Sequence, residues 1–65
     1  MITIYGFKEC SPCHTLCMEL DRRGIPYSYV EDNLNKPIAM IYPSAKTEDG
    51  RLLAGPGQIR EYLGI

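Results

Sequence analysis

Residues 2–13 read ITIYGFKECSPC, and this stretch decides the fold because two closely spaced cysteines follow a short apolar run. Residues 2–5 are β-branched and aromatic and end at Gly6, which predicts a buried strand. Apolar residues recur at helical spacing from Cys13 onward, which predicts a helix that begins at the cysteines. The sequence therefore predicts a pair of thiols, Cys10 and Cys13, at the N-terminus of the first helix.

The position of Cys10 favours redox chemistry. The unpaired backbone N–H groups and the partial positive charge of a helix N-terminus stabilise an anion. A thiolate at Cys10 would be stabilised there and its pKa lowered, which would make it a nucleophile near neutral pH. Pro12 suits the first helical turn, because the N–H that proline lacks would have no helical partner. The Cys10–Cys13 pair is therefore predicted to be a redox-active dithiol.

The whole chain predicts one α/β domain, residues 1–65, with the element order β-α-β-β-β-α. The first helix is expected over Ser11–Arg23, ended by Gly24, with a buried stripe of Cys13, Leu16, Cys17 and Leu20. The other predicted elements are strands over 27–30, 37–42 and 51–54, a polar connector over 31–36, a turn over 43–50 and a helix over 58–63. This order gives one parallel strand pair followed by an antiparallel hairpin, and so a mixed four-stranded sheet.

Length and composition exclude several classes of protein. The chain has 65 residues and a net charge of −1, with no run of Lys or Arg, so the basic patch of a nucleic-acid-binding protein is absent. No apolar stretch approaches the roughly 18 residues that span a bilayer, and the N-terminus does not resemble a signal peptide. An odd number of cysteines, three, also disfavours a secreted framework of paired disulfides. We therefore expect a cytoplasmic protein with no membrane association.

A strand, a C-x-x-C motif that opens a helix, a parallel strand, a proline-led hairpin and a terminal helix together resemble the thioredoxin fold in its compact glutaredoxin form. The resemblance is closest at residues 2–5, at Cys10-Ser11-Pro12-Cys13-His14 and at Arg23-Gly24-Ile25-Pro26-Tyr27. These stretches look like those of glutaredoxins and NrdH-type redoxins, which are glutaredoxin-like in sequence and thioredoxin-like in activity. The 31–36 connector leaves little room for the helix that family members carry between the second and third strands. We expect this helix to be missing or reduced.

The resemblance implies a dithiol–disulfide oxidoreductase that reduces protein disulfides. Cys10, exposed at the N-cap, would be the attacking thiolate and Cys13 the resolving thiol, with their own disulfide as the redox centre and no bound cofactor. Ribonucleotide reductase is the implied electron acceptor, and a flavoprotein thioredoxin reductase or glutathione is the implied donor. The protein is expected to act as a monomer.

Further site residues come from the same resemblance. Family members begin the third strand with a cis-proline that faces the dithiol, and Pro37 is the matching residue, with Pro43 a poorer match. Gly55 and Gly57 match the glycine-rich step before the last helix. Together with Lys8 and Pro37, these glycines would contact glutathione as a co-substrate. Gln58 stands where glutathione-binding members often have an acidic residue.

Three side chains near the dithiol have alternative interpretations. Lys8 either adds positive charge that lowers the pKa of Cys10, or is a solvated surface lysine. Cys17 lies one turn after Cys13 on the same helix face, where a disulfide between them would distort the helix. It is read as a core residue, with a regulatory or ligand role as the alternative. His14 is expected to be exposed and not to act as a base, since thiol exchange needs only a thiolate.

Other functions use the same residues. Cys10, Cys13, Cys17 and His14 could bind zinc, although Cys13 and His14 diverge around the helix. An iron–sulfur cluster would lack its fourth cysteine, unless a dimer shares a cluster through Cys10. Cys-x-x-Cys-His is also the attachment motif of c-type haem, whose helical shell does not fit a chain rich in strands. A non-catalytic interaction domain would leave the placement of the dithiol unexplained. A small metal- or cluster-binding module is the main alternative.

Overall fold

The first three elements form a β-α-β unit with the bounds that the sequence predicts to within one residue. The computed structural model of the chain describes residues 1–33 and 35–65. Strand β1 spans Ile2–Gly6, helix α1 spans Ser11–Arg23 and strand β2 spans Tyr27–Glu31. The two strands pair in parallel, with Ile4 opposite Tyr29. The crossover between them is helix α1, as expected for parallel strands that are adjacent in a sheet.

Gly24 ends helix α1, as predicted. Its φ of 69° lies in the left-handed region, where a side chain would be strained, and its N–H bonds to the carbonyl of Asp21 at 3.1 Å. The N–H of Ile25 bonds to the carbonyl of Leu20 at 2.9 Å. These bonds satisfy carbonyl groups that the end of a helix leaves without partners.

The second half of the chain completes a mixed four-stranded sheet. Strand β3 spans Ser44–Lys46, strand β4 spans Leu52–Ala54 and helix α2 spans Gly55–Leu63. The strand order is β2-β1-β3-β4, and β3 runs antiparallel to both β1 and β4. The predicted element order β-α-β-β-β-α is therefore confirmed.

One hydrophobic core joins both helices to one face of the sheet. Its buried members come from five of the strands and helices already given, and they are Ile2, Ile4, Leu16, Leu20, Ala45, Leu53 and Ile59. Glu19 also links the two helices, because its carboxylate accepts hydrogen bonds from Arg60 of α2 and from Arg23, the latter at 3.0 Å. The bond from Arg60 is the main reason that the pKa of Glu19 is lowered. Glu19 therefore ties α1 to α2, which packs against β3 and β4.

The third strand does not lie where the sequence predicts it. Residues 37–42 form a loop, and β3 begins at Ser44, inside the stretch that was predicted to be a turn. The N–H groups of Ile38 and Ala39 both donate to the carboxylate of Asp32. Successive N–H groups of a strand point to opposite sides, so two neighbouring amides cannot share one acceptor in an extended strand. The described residues between β2 and β3 also contain no helix, in agreement with the expectation.

The assignment of Pro37 to the start of the third strand is wrong for the same reason. Pro37 is exposed in the loop, and Pro43 is the proline that immediately precedes β3. Among the described residues, the cis peptide bond is Tyr42–Pro43. Pro43 is fully buried, whereas the apolar side chains of Ile38 and Met40 are exposed.

Helix α2 begins three residues before the predicted start at Gln58. The side chain of Gln58 instead accepts a hydrogen bond from the N–H of Ala54, the residue before the helix, at 2.9 Å. Pro56 lies in the first turn, where its missing N–H costs nothing. The Gly55-Pro56-Gly57 step is therefore the first turn of the helix and not a separate turn before it.

Candidate functional site

Cys10 and Cys13 form a disulfide at the N-terminus of helix α1. The Cα atoms are 5.2 Å apart and the sulfurs 2.11 Å apart. Cys10 is the N-cap residue, and its Sγ accepts a hydrogen bond from the N–H of Cys13 at 3.2 Å. Pro12 lies in the first turn, as predicted. The sequence correctly placed both sulfurs where N–H groups of the helix start are available.

The expected exposure of Cys10 is wrong for the disulfide form. Cys10 is 4% exposed and Cys13 is completely buried. The physical reason is that Cys10 turns its sulfur inward, toward Cys13 and the first turn of the helix. Cys10 is nevertheless the more accessible member of the pair. Any attack on this disulfide from solvent must therefore begin at Cys10 or follow a local opening around it.

Gly6, the last residue of β1, lies directly against the disulfide. A Cβ atom placed on Gly6 would be 2.9 Å from Sγ of Cys13 and would also collide with the hydroxyl of Tyr29. The absence of a side chain at Gly6 therefore lets helix α1 begin close to the end of β1. The sequence indicated Gly6 only as the end of a strand, but a glycine at the end of a buried strand is also a signal of close approach.

The loop between β1 and α1 is held by hydrogen bonds to the carbonyls of Phe7 and Lys8. The N–H of Cys10 donates to the carbonyl of Phe7 at 3.1 Å, and Nε2 of His14 donates to the carbonyl of Lys8 at 2.8 Å. Since a carbonyl accepts only, Nε2 carries the proton. His14 is exposed, as predicted, but its role in holding this loop was not foreseen. The side chain of Lys8 is also exposed, and its effect on Cys10 stays a prediction.

Asp32 is a buried carboxylate that the sequence analysis missed. It accepts hydrogen bonds from the N–H groups of Ile38 at 2.8 Å and Ala39 at 3.1 Å, and from the hydroxyl of Tyr42 at 2.6 Å. The N–H of Asn33 donates to the same carboxylate at 2.9 Å. An Asp directly after a strand and before a loop is a known turn signal, and this could have identified it.

These hydrogen bonds determine the charge of the Asp32–Tyr42 pair. The bond from Tyr42, together with those from backbone N–H groups, lowers the pKa of Asp32. The same bond raises the pKa of Tyr42 to about 12, with a further contribution from burial. The carboxylate is therefore ionised and the phenol neutral over the physiological pH range.

Acid should weaken the fold in part through Asp32. A pKa that folding lowers contributes stability above the unfolded value of about 3.9, and this stability is lost as the pH falls through the folded-state pKa. The wild-type urea midpoint should therefore fall between about pH 5 and about pH 2. Asp32→Asn should be less stable at neutral pH, because its amide would face N–H donors, and should lose less stability on acidification.

Urea unfolding followed by circular dichroism measures this effect. The lowered pKa values of Glu19 and Asp49 remain in the variant, so some acid dependence must persist. Parallel pH profiles for the wild type and Asp32→Asn would show that Asp32 contributes nothing to the acid dependence.

Tyr42 links the loop to the segment that leads into the dithiol. Its ring contacts that of Phe7 edge to face, with the centroids 5.3 Å apart. Ile41 approaches the start of helix α2, where a Cβ placed on Gly55 would lie 3.6 Å from its Cγ2. Gly55 is buried and has a φ of 87°, so it also requires glycine for its backbone conformation.

Of the residues predicted to contact glutathione, Gly57 is exposed and has open space around its Cα. Lys8 and Pro37 are also exposed. Nothing in the geometry brings Lys8, Pro37 and the two glycines together as a defined pocket, so the glutathione contacts stay a prediction.

Cys17 is a free, half-buried cysteine that packs against the core. Burial raises the pKa of its thiol, although a hydrogen bond involving Tyr27 partly opposes this. A raised pKa leaves the thiol protonated and unreactive near neutral pH.

Two features of the described residues concern metal binding and membrane insertion. Within residues 1–33 and 35–65, no three His, Cys, Asp or Glu side chains are grouped so that they could hold a metal ion. The sulfurs of Cys10 and Cys13 form a disulfide, and Nε2 of His14 donates a hydrogen bond to the backbone carbonyl of Lys8. Neither helix in the described part of the chain has the length and apolar character needed to cross a membrane.

Comparison with known proteins finds no protein-family model, curated protein or solved structure that matches this chain.

Proposed function

We propose that this protein is a dithiol–disulfide oxidoreductase with a thioredoxin-like fold of the compact glutaredoxin type. The observation that carries the proposal is the pairing of Cys10 with Cys13 at the N-terminus of α1, with Cys10 as the helix cap. A pair of thiols that closes reversibly in this position can store and release two electrons. The mixed sheet with two helices on one face is compatible with the proposed fold.

The proposed reaction begins with the reduced protein. The Cys10 thiolate attacks one sulfur of a substrate disulfide, forms a mixed disulfide and releases the other substrate sulfur as a thiolate. The Cys13 thiolate then attacks Sγ of Cys10, which releases the second substrate sulfur and forms the Cys10–Cys13 disulfide. The substrate gains two electrons and the protein loses two. An external thiol donor restores the dithiol by the reverse exchange.

Two features of the site support Cys10 as the attacking residue. The N–H of Cys13 already donates to its sulfur, and the same hydrogen bond would stabilise a Cys10 thiolate after reduction. Cys13 is completely buried, whereas Cys10 retains a small exposed fraction. The buried sulfur is therefore suited to resolve a mixed disulfide, and the more accessible one is suited to form it.

The proposed partners follow from the resemblance to glutaredoxins and redoxins. The acceptor is a protein disulfide, with ribonucleotide reductase as the candidate, and the donor is thioredoxin reductase or glutathione. The exposed side chains of Ile38, Met40 and Ile41 offer an apolar surface on the loop that carries Tyr42. We further propose a cytoplasmic location and a monomeric active form.

A comparison of two donor systems tests the proposed function. Insulin disulfides are offered to the protein with NADPH and thioredoxin reductase, and separately with NADPH, glutathione and glutathione reductase. We expect reduction with at least one donor, well above the rate without the protein. A protein that carries no electrons from either system or from dithiothreitol is not an oxidoreductase of this kind.

A further inference from the structure

Asp32 is connected to the dithiol by two series of contacts, one through its backbone and one through its side chain. On one side, the N–H of Asp32 donates to the carbonyl of Gly6 at 2.8 Å, and Gly6 lies against the sulfur of Cys13. On the other side, the Asp32 carboxylate accepts from the hydroxyl of Tyr42, whose ring contacts that of Phe7. This second series reaches the dithiol because the carbonyl of Phe7 accepts a hydrogen bond from the N–H of Cys10.

The loop segment 35–42 depends on this carboxylate for its position. Three of its four largest apolar side chains face solvent: Ile38 is 51% exposed, Met40 95% and Ile41 55%. These side chains bury too little surface to hold the segment by hydrophobic packing. The hydrogen bonds from Ile38, Ala39 and Tyr42 to Asp32 therefore supply much of its attachment, together with the burial of Ala39 and the contact of Tyr42 with Phe7.

The chemistry of this attachment requires a carboxylate. All of the groups that face Asp32 are donors: three backbone N–H groups and one phenol. An ionised carboxylate accepts through both oxygens, whereas an amide of the same shape would turn an NH₂ group toward N–H donors. Asp32→Asn therefore preserves the volume of the side chain but removes part of the attachment.

We propose, on the basis of the function proposed above, that Asp32 and Tyr42 are positioning residues that hold segment 35–42 beside the disulfide for a protein substrate. Neither residue takes part in thiol exchange. They keep the exposed apolar side chains of the segment in one arrangement, so that a protein disulfide meets a preformed surface. When the segment is released, only the fraction of molecules that retain this arrangement binds the substrate at its intrinsic affinity.

Single-turnover kinetics with two substrates tests the proposal. The pre-reduced protein is mixed with insulin or with the small disulfide hydroxyethyl disulfide, and its oxidation is followed. For Tyr42→Phe and Asp32→Asn, we expect the insulin concentration that gives half the maximal rate to rise about fivefold or more. The maximal rate and the rate with hydroxyethyl disulfide should stay within about twofold of the wild type.

Matched variants control for the loss of a hydroxyl or a carboxylate. Tyr62→Phe removes an exposed phenol hydroxyl on α2, and Asp49→Asn changes a carboxylate in the β3–β4 turn, at the other end of the sheet from Cys10. Both should match the wild type in both reactions. If Tyr42→Phe behaves like Tyr62→Phe, or if the rates with both substrates fall together, the positioning role is wrong.

Hydrogen exchange separates this proposal from the proposed function. In Asp32→Asn, the amides of Ile38 and Ala39 should exchange faster than in the wild type, and by a larger factor than that of the core residue Ile4, which reports the loss of global stability. Unchanged exchange at Ile38 and Ala39 would overturn the role of Asp32 even in an active protein. A wild-type protein that reduces neither disulfide overturns the proposed function, and the substrate role of Asp32 with it.

Discussion

Replacing Cys10 with serine is expected to reduce the rate of protein disulfide reduction to below about 1% of the wild-type rate, because a serine hydroxyl is a poor nucleophile near neutral pH. Cys13→Ser should give a different result, since Cys10 can still attack but the mixed disulfide cannot be resolved. Mass spectrometry without reductant should then show the variant joined to one substrate molecule. The contrast between the two variants assigns the order of attack.

Cys17→Ser is the matched control for both variants. Cys17 is half-buried and lies outside the disulfide, and burial raises the pKa of its thiol. Its replacement should leave the rate of disulfide reduction within about twofold of the wild type. If Cys10→Ser or Cys13→Ser reduces insulin as fast as Cys17→Ser does, the roles assigned to the pair are wrong.

Gly6→Ala is expected to cause a large loss of stability for a single methyl group. The added Cβ would lie 2.9 Å from Sγ and 3.1 Å from Cβ of Cys13, and would collide with the hydroxyl of Tyr29. Both the first turn of α1 and the side chain of Tyr29 must move. Overpacking of this kind costs about 1–3 kcal/mol in the free energy of unfolding. For a domain of this size, that is a substantial part of the total.

Gly57→Ala is the matched control for Gly6→Ala. Gly57 lies within α2, its φ is not positive, and an added Cβ would meet no atom within 4 Å. Alanine should therefore be neutral or stabilise the protein by up to about 1 kcal/mol. Urea denaturation of the oxidised proteins measures both effects. Equal midpoints for the two variants would contradict the close approach of β1 to the disulfide.

The elements that the sequence predicted well are those whose signals are local. Helix α1 has a capping residue, a proline in its first turn, an apolar stripe and a terminal glycine, all within residues 10–24. Each signal acts over one or two turns, so the helix and its cysteines could be located without knowledge of the rest of the chain. The parallel pairing of β1 with β2 then follows from the crossover helix.

The third strand could not be predicted because its position depends on contacts between residues distant in the sequence. The apolar residues Ile38, Met40 and Ile41 give this segment the pattern of a strand. Its amides at Ile38 and Ala39, however, donate hydrogen bonds to Asp32, six and seven residues earlier. The strand that pairs with β1 is instead Ser44–Lys46, where the small side chain of Ala45 packs in the core. The apolar pattern of this segment therefore points to Pro37, whereas Pro43 is the proline that precedes β3.

At the site itself, residue types were more predictable than their surroundings. The spacing of Cys10 and Cys13 and the helix that follows indicated a dithiol. The burial of Cys10, the contact of Gly6 with Cys13 and the Asp32–Tyr42 hydrogen bond all depend on how β1, α1 and the 35–42 segment pack together. A local signal can single out Gly6 or Asp32, but no pattern in a single segment identifies the residues that they contact.

The pH dependence of Cys10 alkylation in the reduced protein tests the central claim most directly. Iodoacetamide is applied over a pH series, and the modification of each cysteine is measured by peptide mass spectrometry, with Cys17 as the internal reference. We predict that Cys10 reacts faster than Cys17 near neutral pH, with a midpoint below the ordinary thiol pKa of about 8.5. A Cys10 that reacts more slowly than Cys17, or whose midpoint lies at or above that value, would contradict its role as the attacking thiolate.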